Sequence, residues 1–172
     1  MNYKALLTRV NTFVFDYDGV MTDGKLILLH DDKPLRTANV KDGYALQLAV
    51  KLGFNVVIIS GGISRSVENR FEALKVKDVF LGVSDKLAVF EQYLKNKNIK
   101  PEEVVYMGDD IPDYKVMKKA GIPVCPADAT EEIKNISVYI SDKKGGEGCV
   151  RDIIEQVLKV QGKWMTEEAF SW

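Results

Sequence analysis

Five short apolar runs, Thr12–Phe15, Asn55–Ile59, Val79–Leu81, Val104–Met107 and Ile122–Val124, each give way within a few residues to Asp, Ser or Gly. Runs of this length, apolar throughout rather than alternating, are characteristic of strands buried on both faces. Between and after them lie Tyr44–Leu52, Arg65–Leu74, Asp85–Lys97, Pro112–Ala120 and Cys149–Val160, with apolar residues at the three- and four-residue spacing of helices packed on one side. Strands alternating with helices restrict the chain to an α/β three-layer sandwich around a mostly parallel sheet, with right-handed crossovers. At 172 residues the chain is long enough for one such domain and its core, and short for two. Residues 1–161 are expected to form that domain and 162–172 a C-terminal tail.

One stretch breaks the alternation. Lys25–Leu29 and Leu35–Val40 read as two extended arms around the turn-forming His30-Asp31-Asp32-Lys33-Pro34, a β-hairpin over about residues 25–40 that protrudes after the first strand. Leu26, Leu28 and Leu35 on such a hairpin would be exposed in a monomer, which marks it as a subunit contact. The tail Gly162–Trp172 carries two Trp, one Phe and one Met without helical periodicity, and is expected to dock on another surface.

Composition narrows the chemistry. Lys and Arg number 24 against 25 Asp and Glu, a formal net charge of -1, so no global basic field draws in nucleic acid or an anionic membrane. His30 is the single histidine, which excludes multi-histidine metal sites and leaves acid–base work to carboxylates and lysines. Cys125 and Cys149 form neither a disulfide framework nor a C-x-x-C pair, as expected of a reducing, cytoplasmic compartment. The apolar stretch Val56–Ile59 falls far below the roughly 18 residues a membrane span needs, and no secretory leader is evident.

The first run ends in Asp16-Tyr17-Asp18-Gly19. Period-two alternation sends Asp16 and Asp18 to one side and Tyr17 to the other, at the carboxyl end of a strand, where open α/β sheets bind ligands. Two neighbouring carboxylates raise one another's pKa, so one can serve as nucleophile or metal ligand while the other exchanges a proton. Ser60-Gly61-Gly62 after the second run offers a hydroxyl and open backbone N–H groups to an anion, although a serine there also suits a helix start. Ser84-Asp85-Lys86 brings one ammonium to the same edge, and Gly108-Asp109-Asp110-Ile111-Pro112-Asp113 adds three carboxylates where helix capping explains one. Facing aspartates of this number call for a hard cation, and all-oxygen ligation selects Mg2+. These are the parts phosphoryl transfer requires.

Taken in order, Asp16-Tyr17-Asp18-Gly19, Ser60, Lys86 and Gly108-Asp109-Asp110-x-x-Asp113 resemble the four motifs of the haloacid dehalogenase phosphatases, with their Rossmann-like sheet. The resemblance implies that Asp16 attacks phosphorus, that Asp18 protonates the leaving oxygen and then activates water, and that Ser60 and Lys86 bind the phosphoryl group. It further implies Mg2+ on Asp16, the Asp18 backbone carbonyl and Asp109, with Asp110 and Asp113 supporting the metal's surroundings. Only the hairpin follows the first motif, and one helix and one strand separate the second from the third, so the domain is capless.

Asp18-Gly19-Val20-Met21-Thr22-Asp23-Gly24, Asn39-Val40-Lys41-Asp42-Gly43 and Lys144-Gly145-Gly146-x-Gly148-x-x-Arg151 resemble, over roughly residues 10 to 160, the 3-deoxy-D-manno-octulosonate 8-phosphate (KDO 8-phosphate) phosphatases. That family implies hydrolysis of KDO 8-phosphate in lipopolysaccharide precursor synthesis and a homotetramer joined through the hairpins, with a neighbour's C-terminal tail closing each active site. It also implies substrate contacts from Asp18, Asn39, Val40, Lys41, Asp42, Gly43, Gln47, Gly61, Gly62, Arg70 and Lys86. Lys41-Asp42-Gly43 also suits a helix start, and Lys144–Gly148 a flexible turn. Gly62 stands where many of these enzymes carry arginine, which leaves a nine-carbon acid of the KDN 9-phosphate type as the alternative substrate.

Other classes fare worse. Cysteine phosphatases need an arginine six positions after the cysteine, and Cys125 and Cys149 have Glu131 and Glu155 there. Neither a P-loop nor a dinucleotide-binding glycine loop occurs. A non-catalytic phosphosugar-binding or tetramerisation module is the alternative of another class, and retention of every catalytic group argues against it.

Overall fold

The structure, a computed structural model, describes residues 2–30 and 34–172. The described strands form one parallel sheet in the order β3-β2-β1-β4-β5-β6. They are β1 (Thr12–Phe15), β2 (Asn55–Ile59), β3 (Asp78–Phe80), β4 (Val104–Met107), β5 (Ile122–Cys125) and β6 (Tyr139–Ile140). The helices are α1 (Tyr3–Leu7), α2 (Val40–Lys51), α3 (Arg65–Ala73), α4 (Lys86–Lys97), α5 (Ile111–Met117), α6 (Glu131–Ile136) and α7 (Cys149–Val160). Strand order runs outward one way from β1 to β3 and the other way from β4 to β6. The crevice between the ends of β1 and β4 is therefore the switch point where such sheets bind ligands.

Alternation within the buried strands sorts the core into two layers. Phe13, Phe15, Val56, Ile58, Val105 and Met107 face α1, α2, α3 and α7. Val14, Val57, Ile59, Val104 and Tyr106 face α4, α5 and α6. β1 is buried at all four positions because it has strands on both sides and helices above and below. Helix ends are set locally. Asn39 Oδ1 accepts from the backbone N–H of Lys41 and Asp42 at 2.8 and 3.3 Å, Asp85 Oδ1 from Ala88 at 3.0 Å, and Asp110 Oδ1 from Ile111 at 2.7 Å.

The Asn39 cap corrects two sequence expectations. The second hairpin arm does not extend to Val40, and the helix begins at Val40 rather than Tyr44. Capping wins over the β-branched propensity of a single valine, because it satisfies two N–H groups that the first turn leaves open. Of the hairpin, the structure describes one antiparallel bridge, Ile27 with Leu35, whose backbone bonds measure 3.2 and 2.9 Å. Residues 31–33 of the expected turn lie outside the described residues. Leu26, Ile27, Leu28, Leu29 and Leu35 are exposed in the single chain.

α1, α6 and β6 had no sequence forecast; they are five, six and two residues long, too short to show a period. The tail forms a 3-10 turn over Glu167–Phe170. It lies on α2 of its own chain, where Tyr44 Oη donates to the Ala169 carbonyl at 2.6 Å, Lys51 Nζ donates to that of Ser171 at 2.6 Å, and Trp172 meets the Tyr44 ring edge-on. No helix of the described residues is long and apolar enough to cross a membrane.

Candidate active site

A cavity of about 560 Å³ opens at the switch point, lined by Asp16, Asp18, Gly19, Ser60, Gly61, Gly62, Lys86, Asp109, Asp110 and Asp113 among others. Asp16 leaves the end of β1 with its backbone N–H bonded to the Met107 carbonyl of β4 at 3.0 Å, so the two strand ends are tied together. Lys86, on the first turn of α4 and only 7% exposed, reaches Asp16 Oδ1 at 2.9 Å and Asp113 Oδ1 at 2.8 Å. Tyr106 Oη donates to the same Asp113 oxygen at 2.8 Å, and the Asp109 N–H to Asp113 Oδ2 at 3.3 Å. Both Asp113 oxygens are thus engaged, and Asp16 lines the cavity with its Oδ1 on Lys86.

Oxygen atoms of Asp16, Asp109 and Asp113 lie within 4.8 Å of one another. Burial, then the Asp113 charge, push Asp16 up to about 7 against the opposing pull of Lys86. Burial, then Asp16 and Asp113, push Asp109 to about 8. Burial works against the Lys86 ammonium, but Asp113 and Asp16 outweigh it and hold its pKa above the usual lysine value. One ammonium does not balance this group of carboxylates, and a hard divalent cation would.

Glycines admit this crowding. Gly19 has φ +86°, and a Cβ there would lie 2.0 Å from Asp109 Oδ2. A Cβ on Gly108 would lie 2.4 Å from that of Asp113. The glycine-rich loop is a buttress rather than a plain turn: Gly146 N–H donates to the Val20 carbonyl at 2.9 Å, Gly145 N–H to Asp128 Oδ1 at 2.9 Å, and a Cβ on Gly145 would strike the Gly19 carbonyl at 2.0 Å.

Other expected site residues fall in three places. Ser60 is buried at the end of β2, its Oγ accepting from Gly62 N–H at 3.2 Å. The helix after it starts at Arg65 with Ser64 in the cap position, so Ser60 is free of a capping role. Asp110 caps α5 and its carboxylate is apart from the three gathered ones. Asp18 is turned from them too, both its oxygens held by Arg36.

The segment expected to contact substrate lies off this cavity in the single chain. Asn39, Asp42, Gly43 and Arg70 line a separate small hollow behind Tyr17 and Met21. There Asn39 Nδ2 donates to the Gly146 carbonyl at 3.0 Å, Arg70 Nη2 to that of Asn39 at 3.3 Å, and Asp42 Oδ1 accepts from Arg151 N–H at 2.7 Å. Burial raises Asp42 to about 6 despite that bond and the Arg151 and Arg70 charges. Asp42, Gly43 and Gln47 are buried, whereas Val40 and Lys41 point to solvent.

Sequence reasoning missed Arg36 and Tyr106. Tyr106 reads as core within a strand, and only its distance to Asp113 reveals a polar task. Arg36 carries no local signal, since it lies 18 positions from the carboxylate it holds.

Aspartates after β1 and β4, Ser60 after β2 and Lys86 opening α4, all on one capless α/β sandwich, place the chain among the haloacid dehalogenase-like hydrolases. The sequence model of that description matches residues 78–153. The 3-deoxy-D-manno-octulosonate 8-phosphate phosphatase KdsC of Escherichia coli is 35% identical over 159 residues, 92% of this chain and 85% of the relative. The crystal structure of the Yersinia pestis phosphatase of that name superposes with a TM-score of 0.90 at 32% identity, covering 93% of this chain and 86% of that one. The Moraxella catarrhalis phosphatase of that name, in complex with a magnesium ion, a phosphate ion and KDO, gives a TM-score of 0.90 at 30% identity, covering 94% and 92%. The chain belongs to the 3-deoxy-D-manno-octulosonate 8-phosphate phosphatase family.

Proposed function

We propose that this protein is a Mg2+-dependent phosphatase that converts KDO 8-phosphate to KDO and phosphate, in the cytoplasm, as a step of lipopolysaccharide precursor synthesis. The observation that carries the chemistry is the convergence of Asp16, Asp109 and Asp113 around the single ammonium of Lys86. With Oδ1 on Lys86, Asp16 presents Oδ2 to phosphorus. Its attack forms an aspartyl-phosphate as the phosphorus–oxygen bond to the sugar breaks, and the departing oxygen takes its proton from Asp18. Asp18 then accepts a proton from water, which attacks the aspartyl-phosphate and returns Asp16 and inorganic phosphate. Ser60 Oγ, the Gly61 and Gly62 backbone and the Lys86 ammonium bind the phosphoryl oxygens, as fixed donors that need no rearrangement during the reaction.

The oxygen-only donor set and the raised carboxylates suit Mg2+. Asp16, Asp109 and the Asp18 backbone carbonyl would hold it, Asp113 would orient the ligands, and Asp110 would act through its cap on α5, the helix that carries Asp113. When bound it neutralises charge on the phosphoryl group. Adding Mg2+ to protein stripped with EDTA is expected to raise Tm by several degrees at about 100 times Kd, because such binding is worth roughly 2.7 kcal/mol. Asp109→Asn should remove most of that shift, and an undiminished shift in thermal melts would place the ion elsewhere.

The first turn of α2, with Arg70, is the proposed sugar-binding segment. Val40 and Lys41 are exposed and free to touch a ligand, while Asp42, Gly43 and Gln47 hold the turn from within. A homotetramer joined through the exposed hairpin leucines, in which the tail leaves α2 of its own chain to reach a neighbouring site, belongs to the same proposal. Deleting the chain from Lys163 onward is expected to reduce kcat/KM for KDO 8-phosphate more than for p-nitrophenyl phosphate. Equal losses would assign the tail to folding alone. The deciding assay is phosphate release from KDO 8-phosphate, a nine-carbon keto-sugar acid phosphate and hexose 6-phosphates. A preference for either of the latter two over KDO 8-phosphate would refute the assignment.

A further inference from the structure

Arg36 follows directly on Leu35, the second residue of the hairpin bridge, and turns inward. Its side chain is 9% exposed, and its guanidinium grips Asp18 as a fork: Nε donates to Oδ1 at 2.7 Å and Nη2 to Oδ2 at 3.0 Å. Among the described residues no other side chain bonds the Asp18 carboxylate. The head of Arg36 borders a narrow crevice shared with Tyr17, Ser60, Gly62, Ser64, Val67 and Leu81, and its remaining nitrogen, Nη1, is buried with no partner among the described residues. Position 62 makes room for it. A Cβ there would lie 3.0 Å from Arg36 Nη2, 3.3 Å from Asp18 Oδ2 and 3.7 Å from Ser60 Oγ.

A buried arginine with an unsatisfied nitrogen is costly, and its fork on Asp18 offsets that cost. The fork fixes the plane of the carboxylate and occupies one lone pair of each oxygen, leaving the other two directed outward. Asp18 itself is 35% exposed and lines the active-site cavity. We infer that Arg36 is a positioning residue: from the hairpin arm it holds the Asp18 carboxylate at the angle needed to pass a proton to the departing sugar oxygen. This rests on the reading of Asp18 as the proton carrier. It also makes the base of the hairpin part of the active site's support, because the backbone bonds of Leu35 to Ile27 anchor the residue next to Arg36.

Leaving-group dependence separates positioning from mere structure. A p-nitrophenolate leaves with little help from an acid, whereas a sugar alkoxide needs its proton in the transition state. In single-turnover experiments with Mg2+, Arg36→Met is expected to slow phosphorylation by KDO 8-phosphate at least about tenfold, with KM changed far less, since positioned proton transfer is worth roughly 10²–10⁴-fold. The first-turnover release of p-nitrophenolate from p-nitrophenyl phosphate should stay near wild type, which also shows that the variant is folded. Arg36→Lys keeps the charge but not the fork, and is expected to recover only part of the loss. Equal slowing of both substrates, no slowing of either, full activity in Arg36→Lys, or faster turnover in Arg36→Met would each overturn the inference. If wild type released no phosphate from either compound, the phosphatase reading itself would fail, a result distinct from any of these.

Discussion

Asp16→Asn is expected to abolish phosphate release, by at least about 10³-fold in kcat, in a protein that remains folded. The amide keeps the shape and an oxygen for Lys86 at the 2.9 Å position, but it is no nucleophile. The fold control has a definite sign. Asp16 is raised from 3.8 to about 7 in the folded protein, by burial first and the Asp113 charge second. A carboxyl raised on folding contributes stability below its unfolded pKa, and that contribution is lost as pH climbs through the folded value. The neutral amide has no such loss, so without Mg2+ the variant should be at least as stable as wild type at pH 7–8, and its stability should vary less between pH 4 and 7. Denaturant melts at several pH values check this, beside a phosphate-release assay. Residual kcat within tenfold of wild type would remove Asp16 from the chemistry.

Lys86→Met should damage both activity and stability. The ammonium is buried and shared between Asp16 at 2.9 Å and Asp113 at 2.8 Å, so its removal leaves two buried carboxyl groups facing each other with no cation from the protein. Breaking a buried pair in this way typically costs about 3–5 kcal/mol. The deficit should grow as pH rises and Asp16 ionises, and shrink toward pH 5 as Asp16 takes up its proton. Mg2+ should restore part of it. Loss of a fixed donor to the phosphoryl group is expected to lower kcat about 10²–10³-fold as well. A variant that melts like wild type at pH 8 without Mg2+ would show that Lys86 does not balance these charges.

The two variants probe parts of the site that were unequally visible in the sequence. That Asp16, Ser60, Lys86 and Asp109 approach one cavity follows from their places just beyond strand ends, because parallel strands deliver their carboxyl ends to one edge. The alternation that put Asp16 and Asp18 on one side did not foresee their separation, one drawn to Lys86 and the other to Arg36. Asp113 was legible as a carboxylate near the metal position, while its engagement by Tyr106 was not, since Tyr106 is indistinguishable from core in a strand. The α2 boundary was misread because a cap residue, Asn39, outweighs the extended look of Leu35–Val40.

By itself, the sequence determined the alternating architecture and the edge at which its chemistry gathers. Both depend on periodicities of two and about 3.6 residues, fixed by backbone geometry over short stretches. Tertiary structure alone decided which carboxylate shares which cation, that the glycine-rich loop braces the Asp16–Gly19 turn, and that a hairpin residue grips Asp18. Those outcomes depend on Coulomb energy and packing, which vary with distance in space and with burial, and separation along the chain encodes neither.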